Sequence, residues 1–189
     1  MININTYIGK RDLNSYFEKL PNPELFFINI NNCGSKELLD RMLSNDKAKS
    51  IHGVICIQVN NIDVSTFIDW DDLDLMWTAL LTMVCDYIND GNYGETQMFT
   101  NGLEWSIKRI KSSPENLILF SVLRNYPVFD IMPELPVAES LKASCRESVF
   151  LKSVAFSGEN YIAFRDEDAR THDLNEAKRL LKELKRALK

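Results

Sequence analysis

The order of elements predicts a single α+β domain over residues 1–189, with helices packed on an antiparallel or mixed β-sheet. Three observations carry that expectation. Residues 95–123 read as three successive strands, a β-meander at the centre of the chain. Residues 73–88 read as a helix that is apolar nearly all round and therefore needs cover on most sides. Residues 173–189 read as an amphipathic helix with one apolar and one basic face.

Ile2, Ile4, Tyr7 and Ile8 suggest a first strand. Leu13, Tyr16, Phe17 and Leu20 repeat at helical spacing over 11–20, and Pro21 and Pro23 close that segment. Leu25 to Ile30 reads as a strand. Ser35 is placed to cap a helix whose apolar face is Leu38, Leu39, Met42 and Leu43. Val54 to Val59 is rich in β-branched residues and reads as a core strand.

Asp69, Asp71 and Asp72 crowd the start of the central helix, where carboxylates complement the helix dipole and cap open N–H groups. Leu73, Met76, Trp77, Leu80, Leu81, Val84 and Ile88 form its stripe, and Asn89-Asp90-Gly91 ends it. Asn101-Gly102 between two alternating segments predicts a hairpin with a two-residue type I′ turn, since both turn positions take positive φ. In its second strand Leu103, Trp105 and Ile107 share the core face. Leu117 to Leu123 completes the meander.

Three prolines within 126–136 predict a surface loop. Pro136 suits the first turn of a short helix that points Val137, Leu141 and Cys145 inward. Val149 to Phe156 and Tyr161 to Phe164 read as two strands around Ser157-Gly158. The last helix opens at Asp173, with Glu176 completing a capping box. Ala177, Leu180, Leu181, Leu184, Ala187 and Leu188 face inward; Lys178, Arg179, Lys182, Lys185, Arg186 and Lys189 face out.

The charge is unevenly spread. Between Lys49 and Lys108 no lysine or arginine occurs, while nine acids do: Asp63, Asp69, Asp71, Asp72, Asp74, Asp86, Asp90, Glu95 and Glu104. That stretch carries −9 against −5 for the whole chain. A surface of one sign gains nothing for folding, because its charges repel; such a surface usually faces a basic partner, a metal ion or nothing in particular.

Catalytic patterns are missing from the sequence. It has no GxSxG elbow, no phosphate-binding glycine loop and no CxxC. His52 and His172 are the only histidines, and neither has the further histidines of a metal site. Cys33, Cys56, Cys85 and Cys145 are irregularly spaced and read as reduced thiols. The acidic balance argues against a nucleic-acid binder. The opening MININTYIGK lacks signal-peptide features and no apolar run reaches membrane-spanning length, so the expectation is a cytoplasmic protein with no membrane partner.

The segment Leu73-Asp74-Leu75-Met76-Trp77-Thr78-Ala79-Leu80 resembles the second helix of the barstar family, intracellular inhibitors of a secreted ribonuclease. The resemblance covers eight residues and implies that Asp74 enters a nuclease's basic site while Trp77 anchors the core. The family's second acid falls on Thr78. In size, acidity and lack of catalytic residues the chain is similar to bacterial toxin-immunity proteins.

The expected function is accordingly a non-catalytic inhibitor without metal or cofactor. It binds a basic toxin domain, of nuclease type, through Asp63, Asp69, Asp71, Asp72, Asp74, Asp90, Glu95 and Glu104. Two alternatives stand beside it. One is an enzyme holding a divalent metal on the Asp69–Asp74 cluster. The other is a non-catalytic subunit of a larger assembly that uses the basic face of the last helix.

Overall fold

The structure, a computed structural model, describes residues 1–10, 23–44, 51–67, 69–98, 102–111, 115–125, 138–166 and 174–189. The expected helix over 11–20, the loop over 126–136, Asn101, His172 and Asp173 lie outside these residues.

The fold is α+β, and its strands divide between two antiparallel sheets rather than one. In the first, β1 (Ile2–Gly9) lies between β2 (Phe27–Asn29) and β3 (His52–Val59). The far edge of β3 takes β4 (Ile62–Ser65) and the two-residue β5 (Asp71–Asp72). The second sheet is a meander of β6 (Tyr93–Met98), β7 (Leu103–Lys111), β8 (Leu117–Asn125) and β9 (Ala138–Arg146). The sheets adjoin where β4 meets β9, and the Asn60 side-chain amide donates to the Ser144 carbonyl there at 2.9 Å.

Helix α1 (Ser35–Ser44) follows β2. Ser35, expected as its cap, is its first residue, and its hydroxyl donates instead to the Ile30 carbonyl at 2.7 Å. Helix α2 (Leu73–Asp90) packs on β3 of one sheet and on β6 and β7 of the other. Its apolar circumference is thereby used on both sides: Met76, Trp77, Leu80, Leu81, Met83 and Val84 are all fully buried. Leu75 is the exception, exposed near the helix start. Gly91 ends α2 in the left-handed conformation, its N–H donating to the Tyr87 carbonyl.

The β6–β7 hairpin forms as expected, but with another register. A two-residue Asn101-Gly102 turn would pair Thr100 with Leu103. The observed partner of Leu103 is Met98, which is not the register of a two-residue turn. Gly102 still takes positive φ, at 66°. Gly102→Val should therefore destabilise the protein by about 1–3 kcal/mol, measured by urea denaturation. An unchanged midpoint would show that this φ is relaxed without cost.

Two expectations are overturned. The expected helix after Pro136 is not found: 138–146 are β9, while Pro136 and Val137 lie outside the described residues. Leu141 and Cys145 fit a spacing of four, but Ala143 lies inward between them while Ser140, Lys142, Ser144 and Arg146 are exposed, which is strand alternation. Residues 149–164 are not two strands; α3 (Glu147–Asp166) runs through them unbroken. Phe150, Val154, Ser157, Gly158 and Tyr161 lie buried along its inward face. Gly158 marks a close crossing rather than a turn: a Cβ there would sit 3.3 Å from the Trp77 ring.

Helix α4 (Asn175–Ala187) packs on α2 and α3, with Ala177, Leu180, Leu181 and Leu184 buried and Ala187 exposed. Glu176 pairs with Arg179 at 2.7 Å. No described helix is long and apolar enough to cross a membrane.

Candidate functional site

The acid-rich entry to α2 was expected to be a solvated face. The structure places most of it inside the protein. Asp69, Asp71 and Asp74 are only 1%, 5% and 8% exposed, so the expectation of a shared partner-facing surface is corrected for these three.

Each carboxylate has a local task. Asp69 follows β4 in a turn closed by its own N–H donating to the Thr66 carbonyl, while the Thr66 N–H donates back to Oδ2 at 2.7 Å. Both Asp69 oxygens then accept from Arg124, Nε on Oδ1 and Nη2 on Oδ2, each at 2.6 Å. Arg124 points from β8 to the inner face of the meander and is itself buried. The bidentate fork matches the planar guanidinium, which stays charged even when desolvated.

Asp71 pairs opposite Gly53 across β5 and β3, and accepts the Asp72 N–H at 2.7 Å. Asp72 is half-buried and caps α2, accepting the N–H groups of Asp74 at 2.9 Å and Leu75 at 3.2 Å. Burial raises its carboxyl pKa, against the lowering effect of those two bonds. Asp74 accepts the Tyr161 hydroxyl and, from Arg165, Nε at 3.2 Å and Nη2 at 2.9 Å. Burial, together with the Asp74 charge, pushes the Tyr161 phenol well above its usual range, so it remains a proton donor.

The cluster thus joins α2 to its surroundings. Asp69 ties the helix entry to the meander, and Asp74 ties the first turn to α3. Two acids of the cation-free stretch find their counter-charges in Arg124 and Arg165, which lie beyond it in sequence. Neither arginine was singled out from the sequence. Each stands at the end of an apolar run, LILFSVLR and YIAFR, and that isolation was the available signal.

The same geometry argues against the alternative metal site on Asp69–Asp74 and against the role that the barstar resemblance implies for Asp74. Oxygens gripped by guanidinium groups do not converge on a cation. Among the described residues no group of three or more His, Cys, Asp or Glu side chains is placed to hold a metal. Trp77 is wholly buried in the core.

The remaining acids are distributed differently. Asp63 is exposed on β4 and accepts from the Gln58 amide at 2.9 Å. Its strand meets the meander at β9, the edge opposite β6. Asp86 and Asp90 are exposed one turn apart on α2. Asp90 leads through Gly91 and Asn92 into β6. There Glu95 is exposed and its carboxylate accepts the Tyr93 hydroxyl. Glu104, half-buried on β7, pairs opposite Gln97 and so shares the outer face of the meander with Glu95. Its charge also reaches the Tyr93 phenol, whose pKa is pushed up to about 12, first by the bond to Glu95. Tyr93 is 42% exposed. Lys108, opposite Tyr93, bounds the patch.

No known family, no curated protein and no solved structure matches this chain.

Proposed function

We propose that this protein is a non-catalytic inhibitor of immunity type, which binds a basic toxin domain and acts in the cytoplasm. The binding surface is the outer face of the β6–β7 hairpin, with Glu95 and Glu104 beside Tyr93. The observation that carries this reading is the separation of the acids into two sets. Asp69 and Asp74 are neutralised by buried arginines, whereas Glu95 and the half-buried Glu104 share the outer face of the β6–β7 hairpin with the exposed Tyr93.

An exposed tyrosine held by a carboxylate is a rigid, amphipathic contact, and tyrosine is enriched where binding energy concentrates. Carboxylates around it attract a nuclease-type surface, which is basic because it binds phosphate. The four cysteines are free thiols, in keeping with a reducing compartment.

The test is association kinetics with the product of the neighbouring gene. Glu95→Lys combined with Glu104→Lys should slow association roughly 10- to 100-fold at low salt. Added salt should slow the wild type and leave the variant nearly unchanged. A rate indifferent to both salt and charge reversal would overturn this assignment of the surface.

A further inference from the structure

The strongest feature outside the acidic region is a cleft of about 650 Å³ between α3 and α4. Its apolar lining comes from Ala155, Phe156, Ile162, Leu181 and Leu188. Ala155, Ile162 and Leu181 are recessed and buried, while Phe156 projects with 66% of its surface exposed. The banks are basic: Lys152 on α3, Lys178, Lys182, Lys185 and Arg186 on α4, and Lys189 just after it. Among the described residues Glu159 is the only acid lining the cleft, and it pairs with Lys185.

The spacing of the cations is informative. Lys178, Lys182, Lys185 and Lys189 recur at intervals of four, three and four residues, with Arg186 beside Lys185, so positive charge lines the cleft along the 13-residue helix. That helix is about 20 Å long, enough to lie beside more than three turns of another helix. An apolar floor between two helices, edged by regularly spaced positive charge, is complementary to a helix with an apolar stripe and acidic flanks. Apart from Phe156 the apolar floor is recessed, which disfavours a flat bilayer surface, since that needs apolar groups that protrude beyond the charged ones.

We propose that the α3–α4 cleft is a docking site for an acidic amphipathic helix of a second protein, separate from the β6–β7 surface. Phe156 enters the apolar stripe of that helix. Lys182 and Arg186 meet its carboxylates.

A fluorescein-labelled peptide of about 15 residues, with leucines at i, i+3, i+4 and i+7 and glutamates elsewhere, serves as the probe. Fluorescence anisotropy should show saturable binding that weakens with salt. Phe156→Asp should weaken it about tenfold or more, as should Lys182→Glu with Arg186→Glu. These positions are exposed, so circular dichroism should show the fold retained in both variants. A scrambled peptide of the same composition should bind at least about tenfold more weakly. Three results would overturn the proposal: no saturable binding, equal binding of the scrambled peptide, or affinity unchanged in the variants. Sedimentation with vesicles of anionic phospholipid, lost in the same variants while the peptide fails to bind, would overturn it in favour of a membrane contact.

Discussion

Asp69→Ala should lower the free energy of unfolding by about 3–5 kcal/mol, because it breaks a buried ion pair by removing the carboxylate that accepts two bonds from Arg124. Arg124 is held by two bonds of 2.6 Å and its side chain is 1% exposed. Alanine also removes the acceptor of the Thr66 N–H, which keeps the turn before α2 closed. The effect should be read from urea denaturation as a lower midpoint with an unchanged slope. A companion variant separates charge from packing. Asp69→Leu with Arg124→Met removes both charges and keeps apolar volume, so it should recover a large part of the loss. If the double variant is no more stable than Asp69→Ala, the ion pair is not the cause.

The cation-free stretch was plain in the sequence; its meaning was not. Capping is local, so the role of Asp72 followed from its position just before an apolar helix. The fates of Asp69 and Asp74 depend on Arg124 and Arg165, which are 55 and 91 positions away. Sequence spacing carries no information about such pairs, since only the packing of β8 and α3 around α2 brings them together. A run of acids without cations therefore had two physical solutions, a solvated patch or a set of remote counter-charges. This fold contains both, with the buried solution at the helix entry and the exposed one around Tyr93.

The fold was legible where one element sets its own pattern. The all-round apolar stripe of α2 predicted burial, and Gly91 and Gly102 marked left-handed backbone. It was not legible where the pattern reflects a neighbour. In α3 the inward face carries Ser157 and Gly158, small polar residues that imitate a turn. They are small because Trp77 crosses there and because the Ser157 hydroxyl donates to the Ile4 carbonyl on β1, at 3.2 Å. In β9 the positions 141 and 145 satisfy helix and strand spacing alike, and only the partner β8 decides between them.

Trp77→Ala should cost about 3–5 kcal/mol by emptying the largest cluster in the core. Trp77 is fully buried at the junction of α2, the first sheet and α3. Its ring stacks on Tyr161 with centroids 5.7 Å apart, and its indole N–H donates to the Thr6 hydroxyl on β1 at 3.2 Å. Truncation opens a cavity against all three elements and leaves that buried hydroxyl without its donor. Trp77→Phe keeps part of the ring and should cost less. The close contact with Gly158 supplies a sharper measurement. In the wild type Gly158→Ala sets a methyl group 3.3 Å from the indole, which overpacks the crossing. In the Trp77→Ala background the same methyl projects into the cavity and should be neutral or stabilising. A double-mutant cycle on these two positions should therefore give a coupling of about 1 kcal/mol or more. Additive effects would mean that α3 does not cross α2 at Gly158.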